Sequence, residues 1–341
     1  MEELDVRQRD ILRLIVQEHI TTGEPVGSTA IAGRDLPVSP ATVRSVMADL
    51  EELGFLEKPH TSAGRVPTDR GYRYYVDTLV QVRSPSKPER DLIERSLPQS
   101  RDADEVLRET TRLLSSLSHH AAVVTLPSLE KTPIERLELV ALKDSRVLAI
   151  VVARSGVVRN LLIVDLGLAP AELGKVEGML NELVRDAPLD VVRERLAAEL
   201  AREKREYQTL EQKALELGQK VVDAAGSGGF EVHIQGRESF FEAPEFADVK
   251  RMRELFAALE EKSKLLEVLD RTLSAKELKI FIGADTEFSA RTGASVIAAP
   301  YATGTGVIGS VGIIGPTRMN YSRAIALVDY TSRVVSQLLD R

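Results

Sequence analysis

Residues 39–77 read SPATVRSVMADLEELGFLEKPHTSAGRVPTDRGYRYYVD, and the fold of the amino-terminal part turns on this stretch. Ser39 followed by Pro40 opens a helix in the preferred way, with a hydroxyl at the cap and a proline at the first helical position, where its missing N–H costs nothing. Val43, Val46, Met47, Leu50 and Leu53 recur at helical spacing and form a core face. The opposite face, Ala41, Thr42, Arg44, Ser45 and Ala48, is small and polar with one cation, so another surface can approach it closely. Gly54 ends the helix. Residues 55–58 and 65–68 then flank a turn at Thr61-Ser62-Ala63-Gly64, a hairpin whose Gly64 is suited to positive φ.

Upstream, Val6, Ile11, Leu14, Ile15 and Ile20 form the stripe of an amphipathic helix that Gly23 and Pro25 end. Ser28 is placed to cap a short second helix that stops at Gly33. Three helices followed by a two-stranded hairpin is the order of a winged helix-turn-helix, in which the second helix of the pair enters the DNA major groove. Candidate DNA contacts on the helices are therefore Ser28, Ser39, Pro40, Ala41, Thr42, Arg44 and Ser45. On the hairpin they are Lys58, His60, Thr61, Ser62 and Arg65, where the tip can track phosphates or reach the minor groove. Arg44 can pair with a guanine edge or hold a phosphate, and the spacing leaves both open. Residues 58–73 carry Lys58, Arg65, Arg70 and Arg73 against Asp69 alone, a locally basic stretch in a chain of net charge −7.

The chain has 341 residues, 43% hydrophobic and 28% charged, with no Cys and no Trp. That length predicts two or three domains at roughly 100–200 residues each. Without Cys there is no disulfide framework, thiolate nucleophile or Cys-bound zinc. The acidic start, Met1-Glu2-Glu3-Leu4-Asp5, does not read as a secretory signal, and the longest apolar run, residues 147–153, is far shorter than a membrane span. A cytoplasmic protein is expected.

Ser84-Pro85-Ser86-Lys87-Pro88 reads as a linker, and residues 102–118 as a helix. Residues 121–126, 137–142, 147–153 and 157–164 read as strands whose short gaps favour antiparallel pairing. Charged helical patterns follow at 188–223 and 246–266, separated by a short strand at 231–234. Strands return at 278–282, 294–300 and 307–314, and a helix over 321–339 closes the chain. The three-four seams of the two charged patterns need a facing helix, from this chain or from a second copy.

Several apparent catalytic or cofactor signals fail on context. Residues 304–309 match G-x-G-x-x-G, with Asp329 about twenty positions on, but a strand and Pro316 follow where a helix must open. A glycine-rich hairpin is the expectation. His119 and His120 are read as strand neighbours pointing to opposite faces, away from any carboxylate cluster. His19 and His233 are isolated, and Asp285 with Glu287 lacks a partner for acid-base work. No catalytic, metal-binding or cofactor-binding residue is assigned. In the segment 315–321, Arg318 is read as architectural, its stem buried and its head on nearby carbonyls.

The run quoted above, together with ILRLIVQEHITTGEPVGS at 11–28 and IGSVGIIGPTRMNYSRAI at 308–325, resembles the HrcA family of heat-inducible transcription repressors. The resemblance implies an α+β multidomain protein with a winged helix-turn-helix domain at 1–80 and a GAF-like antiparallel-sheet domain in two parts, 81–185 and 272–341. A mainly helical dimerisation domain would be inserted at 186–271. It also implies a dimer on an inverted-repeat operator in double-stranded DNA that represses chaperone operons, with heat lowering the active fraction and the chaperonin, a further partner, restoring it. Ser45 stands where the family usually has Asn, which removes a two-bond grip on adenine. A metabolite-sensing winged-helix regulator with a ligand-binding GAF-like domain is the alternative.

Overall fold

The Gln8 backbone N–H donates to the Asp5 carboxylate at 2.8 Å and the Asp5 N–H to the Gln8 side chain at 3.0 Å. In a computed structural model of the chain, this reciprocal cap starts α1, Val6–Thr22. The structure describes residues 4–33, 37–59, 64–100, 103–125, 132–142, 146–154, 157–164, 167–202, 210–227, 232–304 and 306–340. Gly23 closes α1 in the left-handed region at φ 75°. α2 is Ser28–Ile31, and its cap position is Gly27, with no side-chain bond from Ser28. Ser39 caps α3, Pro40–Glu52, by accepting from the Thr42 N–H at 3.2 Å. Ile11, Ile15, Ile31, Val43 and Leu50 are fully buried between these helices.

β1, Leu56–Glu57, pairs antiparallel with β2, Val66–Pro67. Val26 and Arg65 exchange both backbone hydrogen bonds at 2.8 and 2.9 Å, tying the α1–α2 connection to the hairpin. Gly64 is needed here for a different reason from the one expected. Its φ lies outside the left-handed region, but a Cβ on it would sit 2.4 Å from the Val26 carbonyl oxygen. Gly64→Ala is therefore expected to push the two backbones apart and cost about 1–3 kcal/mol, read as a lower urea midpoint; an unchanged midpoint would show that this approach is not needed.

α4, Asp69–Tyr74, and a π-helical turn at Tyr75–Leu79 lead away from the hairpin. Of the expected linker at 84–88, Ser84 to Ser86 lie outside helix and strand, whereas Lys87 and Pro88 already begin a helix, α5, Lys87–Ser96. Ser86 and Glu89 form a second reciprocal cap, and Pro88 falls in the first turn, where it is tolerated. α6, Ala103–Ser118, runs into β3, Ala121–Thr125. His119 and His120 occupy the turn between them, His119 at φ 58°, and so are not strand neighbours. Burial pushes the His120 imidazole down to about 4.

β4 (Ile134–Leu142), β5 (Arg146–Ala153) and β6 (Val158–Val164) form their own antiparallel sheet. One face is covered by α7 (Pro170–Val184), α8 (Leu189–Arg202) and α9 (Leu210–Ser227) around a core that includes Val147, Val176, Leu196, Leu217 and Val221. The sequence reading passed over α7 altogether. β7 (Val232–Gln235) then returns to pair with β3.

After β7 come α10 (Ser239–Glu242), α11 (Val249–Glu260), α12 (Lys262–Ala275), β8 (Lys279–Phe281) and α13 (Glu287–Thr292). β9 (Ala294–Thr303), β10 (Gly306–Pro316) and α14 (Tyr321–Leu339) complete the chain. The second sheet has the order β7-β3-β10-β9-β8, antiparallel throughout. Alternation along β3 explains its two-sided burial: Ala122 and Val124 face α6 and α14, whereas Ala121 and Val123 face α11 and α12.

β3 does not belong with β4–β6, and one buried cluster gathers residues of 134–225 together with Ala103 of α6. The second charged pattern, α11 and α12, buries Leu255, Leu259, Leu265 and Leu269 against the five-stranded sheet instead. The first seam is thus closed within the chain over its described part, whereas the stripe that α11 and α12 bury is not the seam read from the sequence: of Phe246, Val249, Arg253, Phe256, Leu259, Ser263 and Leu266 only Phe246 and Leu259 are buried, and Val249 is 66% exposed. The core of the first eighty residues continues into the rest of the chain, a single cluster running from Ile11 through Tyr72 to Tyr321 and Val328. The expected glycine-rich hairpin is present: Gly306 pairs with Thr303 across β9 and β10. Gly309 makes room for Tyr301, which is fully buried and donates to the Thr125 carbonyl at 2.6 Å.

Candidate nucleic-acid interface

The outward face of α3 is the natural starting point, since a helix enters a groove only along a side that its own chain leaves open. Ser39, Pro40, Ala41, Arg44, Ser45 and Ala48 are exposed, and Thr42 is half-buried. Val43, Val46, Met47 and Leu50 anchor the opposite side. Small residues flank Arg44, which forms no ion pair among the described residues. The Ser39 hydroxyl is committed to its cap and to the Thr42 hydroxyl at 3.0 Å, so both side chains are held while the first turn stays open.

The rest of the candidate set is more mixed. Ser28 is 9% exposed and turned inward. Lys58 is exposed at the end of β1. His60, Thr61 and Ser62, the expected hairpin-tip contacts, lie outside the described residues. Arg65, expected to meet phosphates, is only 15% exposed and donates to the Glu51 carboxylate at 2.7 Å. It fastens the hairpin to the end of α3. Arg65→Ala is accordingly expected to lower stability by about 1–2 kcal/mol while leaving the salt slope of DNA binding unchanged. A smaller slope at unchanged stability would restore it to the phosphate contacts.

The other basic residues of this stretch are also occupied. Arg70 donates to the Leu53 carbonyl at 2.8 Å and lies over the Phe55 ring, closing the carboxyl end of α3. Arg73 donates to the Ile280 carbonyl at 2.6 Å and to Asp285 at 3.1 Å, and it pairs with Asp77. Of the four cations that make residues 58–73 basic, Lys58 points outward with no such internal bond among the described residues. Counting charges along the stretch could not reveal this, because two of the acceptors are backbone carbonyls and all three carboxylates, Glu51, Asp77 and Asp285, lie outside it.

Further contacts dock this block on the five-stranded sheet and α14. The Arg318 guanidinium pairs with Glu245 and donates to the Ile20 carbonyl at 3.0 Å in the last turn of α1, an architectural role as read from the sequence. His19 Nδ1 and the Tyr72 hydroxyl are hydrogen-bonded at 2.7 Å, and the Tyr72 ring meets Tyr321. Burial, then the Arg318 charge, holds the His19 imidazole below its usual value. The open face of α3 therefore sits on a block gripped at several points.

Among the described residues no group of three or more His, Cys, Asp or Glu is placed to hold a metal ion. Nor is any helix there long and apolar enough to cross a membrane.

The family profile described as HrcA protein C terminal domain matches residues 104–325. The heat-inducible transcription repressor HrcA of Anaeromyxobacter sp. (strain K) is 47% identical over 344 residues, covering 99% of this chain and 97% of its own. The protein of the same description from Geobacter sulfurreducens is 46% identical over 343 residues, covering 100% and 99%. A crystal structure of a hypothetical protein at 2.2 Å resolution shares the fold, with a TM-score of 0.66 over 99% of both chains at 22% identity.

Proposed function

Because this chain belongs to the HrcA family of heat-inducible transcription repressors, we propose that it represses by seating two copies of α3 in successive major grooves of an inverted-repeat operator. It is a transcription repressor and not an enzyme. The helices α1–α3 and the β1–β2 hairpin act as a winged helix-turn-helix, with α3 as the recognition helix. The observation that carries this reading is the open, small-residue face of α3 around Arg44, which is exposed and forms no ion pair among the described residues. Lys58 and the hairpin tip supply backbone contacts, and Arg65 positions the hairpin. The five-stranded sheet with helices on both faces serves as the GAF-like body.

The dimer reading rests on the second face of the β4-β5-β6 sheet. Val140, Leu148 and Leu162 lie side by side across the three strands, with Leu142 and Val164 on either side of Arg146 in the row beyond, and Val152 beside Val158 past a row of Glu138, Ile150 and Asn160. Val140, Leu142, Val158, Leu162 and Val164 are 41–69% exposed. An apolar face of this size on a lone sheet fits a self-complementary interface, and a two-fold dimer matches a two-fold operator. The protein would act in the cytoplasm, with heat lowering the active dimer and the chaperonin restoring it.

A salt titration on an inverted repeat upstream of a chaperone operon, beside a scrambled duplex, tests the reading. Specific binding is expected to be about a thousandfold or more tighter than binding to the scrambled duplex, with a negative salt slope for both. Equal affinity for the two duplexes would overturn it.

A further inference from the structure

A recess of about 380 Å³ opens where α1 and the connector after the π-helical turn meet α14. That volume lies within the usual range of small-ligand pockets. Its charged lining is Arg13 from α1, Arg83 from the connector, Arg323 from α14 and Glu89 from α5. Glu89 is already committed: the Ser86 hydroxyl and backbone N–H donate to it at 2.7 and 2.8 Å, and Arg323 pairs with it at 3.0 Å. Arg323 is thereby neutralised. Arg13 reaches Asp10 only at 3.6 Å, beyond hydrogen-bond length, and Arg83 has no ion pair among the described residues. The recess is thus lined by three guanidinium groups against a single carboxylate, Glu89, in a chain whose net charge is −7, and Arg13 is balanced only by Asp10 from outside the lining.

We propose that this recess is a binding site for a small polyanion, phosphate- or carboxylate-bearing, held between Arg13 and Arg83. The planar fork of each guanidinium matches two oxygens of such a group, and two forks on different elements favour a ligand with two anionic ends. Leu79 and Leu327 supply an apolar wall that accommodates a short carbon skeleton. The site lies outside the five-stranded sheet, at the seam between the DNA-binding block and α14. A ligand there adds a charged bridge across that seam and stabilises the docked arrangement.

The test uses the full-length protein with pyrophosphate and, separately, citrate, followed by calorimetric titration and by thermal unfolding. A saturable isotherm with Kd below about 1 mM and a raised unfolding midpoint are expected for at least one probe, and the probe that binds identifies the anionic group. Both effects are expected to vanish in the Arg13→Gln/Arg83→Gln double variant, in which Arg83 is exposed and Arg13 half-buried. They should persist in Arg44→Ala/Lys58→Ala, which removes the anion-attracting charges of the DNA-facing surface. No saturable binding of either probe, binding that survives the first double variant, or binding that is lost in the second would each overturn the proposal.

Discussion

Leu162→Glu is expected to convert the proposed dimer to a monomer and to lower operator affinity by about a hundredfold or more. Leu162 is 58% exposed, and in the register it lies level with Leu148 and Val140 on the uncovered face of the β4-β5-β6 sheet. A carboxylate there is hydrated in the monomer, so the fold tolerates it. In a two-fold interface the same change occurs twice, and each charge loses water without gaining a partner, at a cost of several kcal/mol. Sedimentation equilibrium at micromolar protein is the direct measurement, with operator titration beside it. A variant that remains dimeric with full affinity would place the interface elsewhere.

The second large effect falls on Arg44. Its replacement by Ala removes about 1–3 kcal/mol per half-site if it grips a guanine edge, and two half-sites roughly double that loss. The two roles left open for it are separable. A base contact confines the loss to the cognate operator and relaxes preference at one position of each half-site. A phosphate contact weakens cognate and scrambled duplexes alike and lowers the salt slope by about 1 per copy. Arg44 is exposed, so thermal stability is expected to stay within about 0.5 kcal/mol of the parent. Unchanged operator affinity would remove Arg44 from the interface.

These predictions draw on features of unequal visibility. The helix α3, its Ser39-Pro40 start and its outward face were legible from thirteen or so consecutive residues, because capping and 3.6-residue periodicity are short-range rules. The closing helix was equally plain, with its bounds at Tyr321 and Leu339 as read. The end of the segment at 84–88 was misjudged because the same residues that mark linkers, Ser and Pro, also begin helices; Glu89, three places after Ser86, was the distinguishing sign. The helix α7 was missed although Pro170 and Glu172 mark its first turn.

Strand order was less accessible. Short gaps among residues 121–164 suggested one meander, yet β3 pairs with β7 and β10, whose partner residues lie over a hundred positions away. The charged helices carry seams that read equally well as contacts within a chain or between chains. The deciding factor was the nearby sheet face, which no local window contains: it covers the first seam, but on α11 and α12 it covers a different stripe, Leu255, Leu259, Leu265 and Leu269, and leaves Val249 in solvent. The apolar outer face of β4–β6 was left over by the same competition.

Helix positions, caps, the glycine-rich hairpin and the open side of α3 thus followed from residues close together in the chain. Which cations remain free for DNA did not. Arg65, Arg70 and Arg73 look alike in a linear count, but folding gives each of them an acceptor, and Arg73 meets Asp285 across 212 positions. A guanidinium half-withdrawn from water must find such partners, since leaving it unpaired there costs more than any single surface contact returns. That requirement, acting between distant segments, turned most of a basic stretch into internal fastening and left α3 and Lys58 facing outward.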